Sequence, residues 1–398
     1  MNADTILNQI VTFVTPTLHK TRRNAVLACI KSLMCGADAS VTSIGRGIQT
    51  NAYEKHNIKR ADRLLSNQRL LSELPLIYGA ICQWLGAISP EPIIHIDWSD
   101  LDPNKRHFLI RASLLFSGRS LTLYQEVHDL STKEKPATHK AFLDTLAQML
   151  GQDIKPIIVT DAGFKVPWFR QVLCLGWNYV GRVRKPNFYR TQGAQWQCIS
   201  HLYQSASSTP KLLKGQLSRS NALATHLVLF KDKMKGRVSL GCTGQKRMNS
   251  NDRKYSKSAR DPWLLATSLP LTSTLEKRVV NIYSSRMQIE EAFRDMKSQQ
   301  FGLGYTVNKS KKLPRVSILV MLVSLTNFIL IMIGLSLDIS GKSKHYQANT
   351  VRYKRVLSFH TLGIRAVRNR QFKVTIRQWK NTLIRLSEYI QGADYDVI

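Results

Sequence analysis

The spacing of apolar and polar residues changes character along the chain. Residues 1–90 lack two-residue alternation and read as helices: TRRNAVLACIKSLMC, SVTSIGRGIQ and EKHNIKRADRLLSN predict short helices, with a turn around Gly36–Ser40. That arrangement is compatible with helix-turn-helix-like packing. From 91 the pattern shifts to short apolar runs. It predicts strands over 93–98, 107–116 and 119–130, a helix over 137–150, a strand over 156–161, a helix over 165–175 and a strand over 178–184. Within 185–275, NALATHLVLFKD, GRVSLGC and WLLATSL read as strands separated by polar stretches. A helix is then predicted over 276–300, with Ile282, Ile289, Phe293 and Met296 forming its apolar stripe. The tail from 341 is basic and helical in pattern.

One apolar run needs a separate decision. VSILVMLVSLTNFILIMIGL (316–335) holds twenty residues without a charge, long enough to cross a bilayer. Ser317, Ser324, Thr326 and Asn327 interrupt it, and no second span of that kind is evident. A helix apolar all round is also what the centre of a large α/β domain contains, and the core reading is the one adopted.

Three places combine these elements with candidate chemistry. PIIHIDWSD (92–100) and KPIIVTDAG (155–163) are apolar runs that end in a carboxylate followed by turn residues. Asp97 and Asp161 then lie at the ends of interior strands, where open α/β sheets place ligands. A carboxylate there is costly unless a cation or partner compensates it. In NIYSSRMQIEEAFRDMK (281–297), Tyr283, Arg286, Glu290 and Lys297 stand at offsets 0, +3, +7 and +14. On a continuous helix of about 100° per residue they fall within an arc of roughly 60°. Glu291 is the competing carboxylate but is rotated about 100° off that arc. Asp100 lies beyond the strand and reads as a turn residue. Three such carboxylates could hold two divalent cations for phosphoryl transfer.

Composition narrows the partners. The chain has 398 residues, enough for two or three modules, and its net charge is +32 from 58 Lys and Arg against 26 Asp and Glu. The default partner of such a chain is a polyanion. An anionic membrane surface is disfavoured because the basic residues are spread along the chain. Lys20, Arg22, Arg23, Arg46, Lys55, Lys59, Arg60 and Arg63 are candidate phosphate contacts near the N-terminus. Residues 231–260 carry ten Lys or Arg and two Asp, a solvated loop or a nucleic-acid groove. The six cysteines (29, 35, 82, 174, 198 and 242) show no CxxC pair and read as reduced thiols. Cys198 and His201 lack the further pair a zinc site needs. MNADTILNQI lacks the charged-then-apolar pattern of an export signal. Paired carboxylates also serve glycosidases, a reading the charge disfavours.

HNIKRADRLL, DWSD, GRSLTLYQE, TDAGFKVPW, the basic strand after Gly176-Trp177, YSSRMQIEEAFRDMKS and HYQANTVR occur in this order. Together they resemble the insertion sequence 4 family of transposases across essentially the whole chain, with Asp97, Asp161 and Glu290 as its DDE triad. The resemblance implies an α/β fold with an RNase H-like catalytic domain, 91–184 and 276–340, interrupted by an all-β insertion at 185–275. It implies a helical DNA-binding domain at 1–90 and a basic helical region at 341–398 that contacts DNA or a second subunit. It further implies two Mg²⁺ ions, with Mn²⁺ as substitute, held by Asp97, Asp161 and Glu290. Tyr283, Arg286 and Lys297 would grip phosphates, and Trp263 would stack on a base flipped from a DNA hairpin. The partners implied are terminal inverted repeats, target DNA and a second copy of the chain, and the place cytoplasmic, on bacterial nucleoid DNA. A nuclease of the same fold without strand transfer, and a DNA-binding repressor with a dead site, are the rivals.

Overall fold

The computed structural model describes residues 1–232, 261–369 and 372–392. The proposed strand GRVSLGC, Cys242 and nearly all of the basic run at 231–260 lie outside the described residues. The chain divides into two compact units: Met1–Pro156 joined by the segment from Met287 onward, and Ile157–Arg286.

The first unit opens with five helices: α1 (Ala3–Val14), α2 (Lys20–Met34), α3 (Val41–Gly47), α4 (Glu54–Leu65) and α5 (Gln68–Leu85). Three of the starts are set by short polar side chains that accept from otherwise unpaired backbone N–H groups: Asn2 from Thr5, Ser40 from Ser43 and Asn67 from Leu70. Gly45 lets α3 and α4 touch, since a Cβ there would stand 2.4 Å from the Ile58 Cα. Three antiparallel strands follow in the order β3-β2-β1: β1 (Ile93–Asp100), β2 (Phe108–Phe116) and β3 (Arg119–His128). Every residue of β2 is buried, so this strand is central to the unit. Helix α6 (Pro136–Leu150) follows and packs on the strands, with Phe142 stacked on Tyr124 of β3 at 4.9 Å.

After the second unit the chain returns with α9 (Met287–Lys297), α10 (Leu313–Ile339), α11 (Phe359–Arg368) and α12 (Ile376–Gln391). Helix α10 is the core of this unit. From Ile318 to Leu337 every residue is buried, against α1, α2, α4, α5, α11, α12 and β3. By length and composition α10 could cross a membrane, and so could 68–88, a second candidate where the sequence reading expected none; 89% of the most apolar window of α10 is covered by protein. Helix α11 lies close against it because each helix offers a glycine to the other's backbone: a Cβ at Gly334 would sit 1.9 Å from the Phe359 carbonyl oxygen, and one at Gly363 2.0 Å from that of Leu330.

The second unit holds β4 (Ile157–Thr160), α7 (Val166–Cys174), β5 (Asn178–Val183), β6 (Phe188–Thr191), β7 (Gln197–Cys198), β8 (Lys211–Leu217), β9 (Leu223–Phe230), β10 (Trp263–Thr267) and α8 (Leu275–Ser284). Its strands run in the order β4-β5-β10-β9-β8-β6-β7, with β4 and β5 parallel and the remaining pairs antiparallel. The parallel pair is joined through α7, as a crossover requires.

One expectation fails. The single helix expected over 276–300 is two helices, α8 (Leu275–Ser284) and α9 (Met287–Lys297), separated by a turn at Ser285 and Arg286. The Ser285 and Arg286 amides bond three residues back, to Ile282 and Tyr283, instead of four. No Gly or Pro marks the break, so composition gave no warning of it. Tyr283, Arg286, Glu290 and Lys297 therefore do not form one helical arc.

Candidate functional site

In the first unit, β1 rises from the interior to the surface along its own length. Ile93 to Ile96 are buried, Asp97, Trp98 and Ser99 half-buried, and Asp100 exposed. Asp97 thus sits where the strand emerges, beside Arg111 of β2 in register. Its Oδ1 accepts the Trp98 backbone N–H at 2.9 Å. The Lys297 ammonium donates to Ser99 Oγ at 2.7 Å. Burial holds that ammonium below its ordinary value, against the pull of the Asp100 and Asp97 carboxylates, while Arg111 adds to the lowering. Helix α9 packs on β1, β2 and β3. Glu290 and Lys297 are two turns apart on one edge of it, both half-buried. The competing acids are engaged elsewhere: Glu291 pairs with Arg294 at 2.5 Å and Arg119 at 3.7 Å, and Asp100 with Lys133 at 3.5 Å.

In the second unit, Asp161 follows the last residue of β4, and its Oδ1 accepts the Gly163 N–H at 2.8 Å, which closes a tight turn. Tyr283, near the end of α8, is buried. Burial raises its phenol above the ordinary value, Arg286 and Arg182 pull it down, and Asp161 pushes it up. Asp161, Arg182 and Arg286 therefore cluster around the Tyr283 phenol, within electrostatic reach of it. Trp263 opens β10, half-buried, with its ring edge-on to Tyr283 at 4.9 Å and 5.7 Å from Phe230.

The expected residues thus divide between the units: Asp97, Glu290 and Lys297 in the first, and Asp161, Trp263, Tyr283 and Arg286 in the second. Among the described residues no group of three or more His, Cys, Asp or Glu side chains is gathered as a metal site. The three carboxylates offer oxygen donors alone, the donor chemistry that suits Mg²⁺ or Mn²⁺.

Two arginines escaped the sequence reading. Arg111 is 1% exposed, donates to Gln125 Oε1 at 2.9 Å and to the Met296 sulfur at 3.3 Å, and lies 4.9 Å over the Phe293 ring. Burial brings it down to about 10. Its signal was a lone charge in the apolar run HFLIRASLLF. Arg182, on β5, is one of two arginines in the basic strand NYVGRVR, and alternation with Arg184 gives no sign of its burial. His95 is fully buried, and Trp98 is half-buried, donating from Nε1 to His139 Nε2 at 3.0 Å.

The basic N-terminal residues also divide. Lys20, Arg46, Lys55, Lys59 and Arg63 are exposed, with Arg46 paired to Glu54 at 2.8 Å. Arg22 is paired with Glu73 at 2.5 Å, Arg23 donates to the carbonyls of Thr15, Pro16 and Leu18, and Arg60 to that of Asn24. These three serve the fold first.

Among curated proteins, none matches the chain. The model of the transposase DDE domain matches residues 88–327, a span that contains Asp97, Asp161, Trp263, Tyr283, Arg286, Glu290 and Lys297. The chain therefore belongs to the transposase DDE domain family, whose members bind DNA and use divalent metal.

Proposed function

We propose that this transposase works by cut-and-paste. In this reading it is of the insertion sequence 4 kind, with motifs near those of the insertion sequence 10 transposase. It binds the terminal inverted repeats of its element as a homodimer, nicks, forms and reopens hairpins, and joins the 3′ ends to target DNA. The observation that carries the reading is the presence of Asp97, Asp161, Glu290 and the Tyr283–Arg286–Glu290–Lys297 spacing inside the span of the family match.

Asp97, Asp161 and Glu290 would hold two Mg²⁺ ions. When bound, these supply the activation of water or a 3′-hydroxyl and the stabilisation of the leaving oxygen. Lys297, anchored on Ser99 beside Asp97, contributes a fixed positive charge for a phosphate near the scissile bond. Arg286 contributes a second, steadied with Tyr283 by the cluster around Asp161. Trp263, half-buried and in a T-shaped pair with Tyr283, would stack on an extruded base. The helices of 1–90 bind the repeats, 185–275 acts as an insertion into the catalytic domain (91–184 and 276–340), and 341–398 contacts DNA or the second subunit. The protein acts in the cytoplasm, on nucleoid DNA.

The test is incubation of the purified protein with its element-end DNA and Mg²⁺. Nicked, hairpinned and joined products support the whole reading. Nicks without joining reduce it to a nuclease, and binding without nicks to a DNA-binding protein.

A further inference from the structure

The helix that carries Glu290 is gripped along a different edge by a charge with no part in the chemistry above. Gln288, Glu291 and Asp295 lie three and four residues apart, so they share one edge of α9, turned well away from the edge of Glu290 and Lys297. That edge meets the hairpin between β2 and β3. The Phe116 N–H donates to Gln288 Oε1 at 3.3 Å, and Ser120 Oγ to the Gln288 carbonyl at 3.5 Å. At the other end Arg119, the first residue of β3, donates from Nε to Asp295 Oδ2 at 2.6 Å. The same guanidinium stands 3.7 Å from Glu291 Oε2.

Asp295 is 2% exposed. Among the described residues its other ionisable partner is His360 of α11, whose Nδ1 is 3.7 Å away; burial and the nearby Arg119 both disfavour protonation of that ring, against the pull of Asp295. Arg119 is thus the charge that compensates a buried carboxylate five residues after Glu290. A buried pair of this kind tolerates little displacement, because a shift that separates the partners leaves both charges desolvated.

We propose that Arg119 is a positioning residue. Its bond to Asp295 sets the rotation and depth of α9 against β3, and so the aim of Glu290 as a metal ligand. The inference rests on the assignment of Glu290 in the proposed function and deepens it. Residues that orient a ligand from behind typically change metal affinity or activity 10- to 100-fold when altered.

The experiment uses the full chain with Arg119→Gln, Arg119→Lys, Asp295→Asn and, as a control on the same helix, Arg294→Gln at an exposed position. Three quantities are read: hydrogen exchange of the 287–297 amides, binding of Mn²⁺ added alone, and nicking of end DNA against Mg²⁺ concentration. Arg119→Gln should speed exchange of α9 about tenfold or more while β1 to β3 stay protected, and raise the half-saturating metal concentration roughly 10- to 100-fold. Arg119→Lys keeps a compensating charge, so it should fold and show a smaller change of the same kind. It decides the matter if the Gln variant unfolds. Arg294→Gln should match the wild type. Unchanged α9 exchange in the Arg119 variants overturns the anchor. Faster exchange with an unchanged metal requirement per folded molecule overturns the positioning role and leaves packing alone. If the wild type binds Mn²⁺ yet never nicks end DNA, the proposed function fails, while exchange and Mn²⁺ binding still decide on Arg119.

Discussion

Replacing Trp263 with alanine separates a DNA-handling role from packing, because the structure gives the ring both. Its edge meets Tyr283 at 4.9 Å and its other contact is Phe230 at 5.7 Å. An aromatic pair is worth about 0.5–1.5 kcal/mol beyond burial, so loss of two costs about 1–3 kcal/mol. Deleting a fully buried tryptophan or phenylalanine costs about 3–5 kcal/mol. Since Trp263 is half-buried, the lower figure applies, with a fall in melting temperature of a few degrees. If the ring also stacks on an extruded base, a further loss of about 1–3 kcal/mol falls on that step alone, roughly a ten- to hundredfold slowing. The assay is a time course of nicked, hairpinned and resolved end DNA, normalised to the folded fraction at the assay temperature. Trp263→Ala should spare the first nick and slow hairpin formation or opening, and Trp263→Phe should recover most of the stability and part of that step. Uniform slowing of every species, in proportion to lost folded protein, would refute the stacking argument.

Asp97→Asn, Asp161→Asn and Glu290→Gln should each abolish nicking while end binding, followed by gel shift, stays near the wild-type level; near-normal cleavage by any one removes it from the triad. Binding of end DNA should weaken linearly on a double-logarithmic plot against salt, because each neutralised phosphate releases counterions. A flat response would mean that the exposed Lys20, Arg46, Lys55, Lys59 and Arg63 face solvent in the complex. Burial, with His128 adding to it, holds His139 down at about 4 from its ordinary value near 6.5. The unfolded chain therefore binds more protons between those values, so stability should fall as pH drops from about 6.5 toward 4 and not change above it on this account. The slope is at most about 1.4 kcal/mol per pH unit for one proton. Urea unfolding at a series of pH values checks it, and an equally steep slope in His139→Gln would assign the loss elsewhere.

The strands and helices around Asp97 and Asp161 were legible because the elements of an α/β fold with buried strands are short, apolar and bounded by turns. The run at 107–116 became β2 within one residue, and the apolar run at 316–335 became the buried centre of α10. What sequence could not give was the break at Ser285 and Arg286. Both residues tolerate helix, yet at the break the Ser284 and Ser285 hydroxyls donate to the carbonyls of Asn281 and Ile282, a local competition that a serine pair offers without requiring. Nor could periodicity show which basic residues are spent internally. Arg22 and Lys20 look alike in sequence, yet Arg22 is held by a glutamate 51 positions away. Arg119 was quoted as part of a motif, but its partner Asp295 lies 176 residues on, beyond any local pattern.

Helix α10 also sets an order of assembly. Its apolar surface is covered from both ends of the sequence, by α1, α2 and α5 and by α11 and α12, and the Met1 and Val374 backbones bond each other in both directions. During synthesis, α10 is made and begins to emerge before α11 and α12 are free to cover it. A chain cut short ahead of Phe359 would carry a helix with the hydropathy of a membrane span and one uncovered flank. Such a product is expected to aggregate or be degraded, so a disrupted gene yields loss of the protein and not a DNA-binding fragment that competes with the intact one.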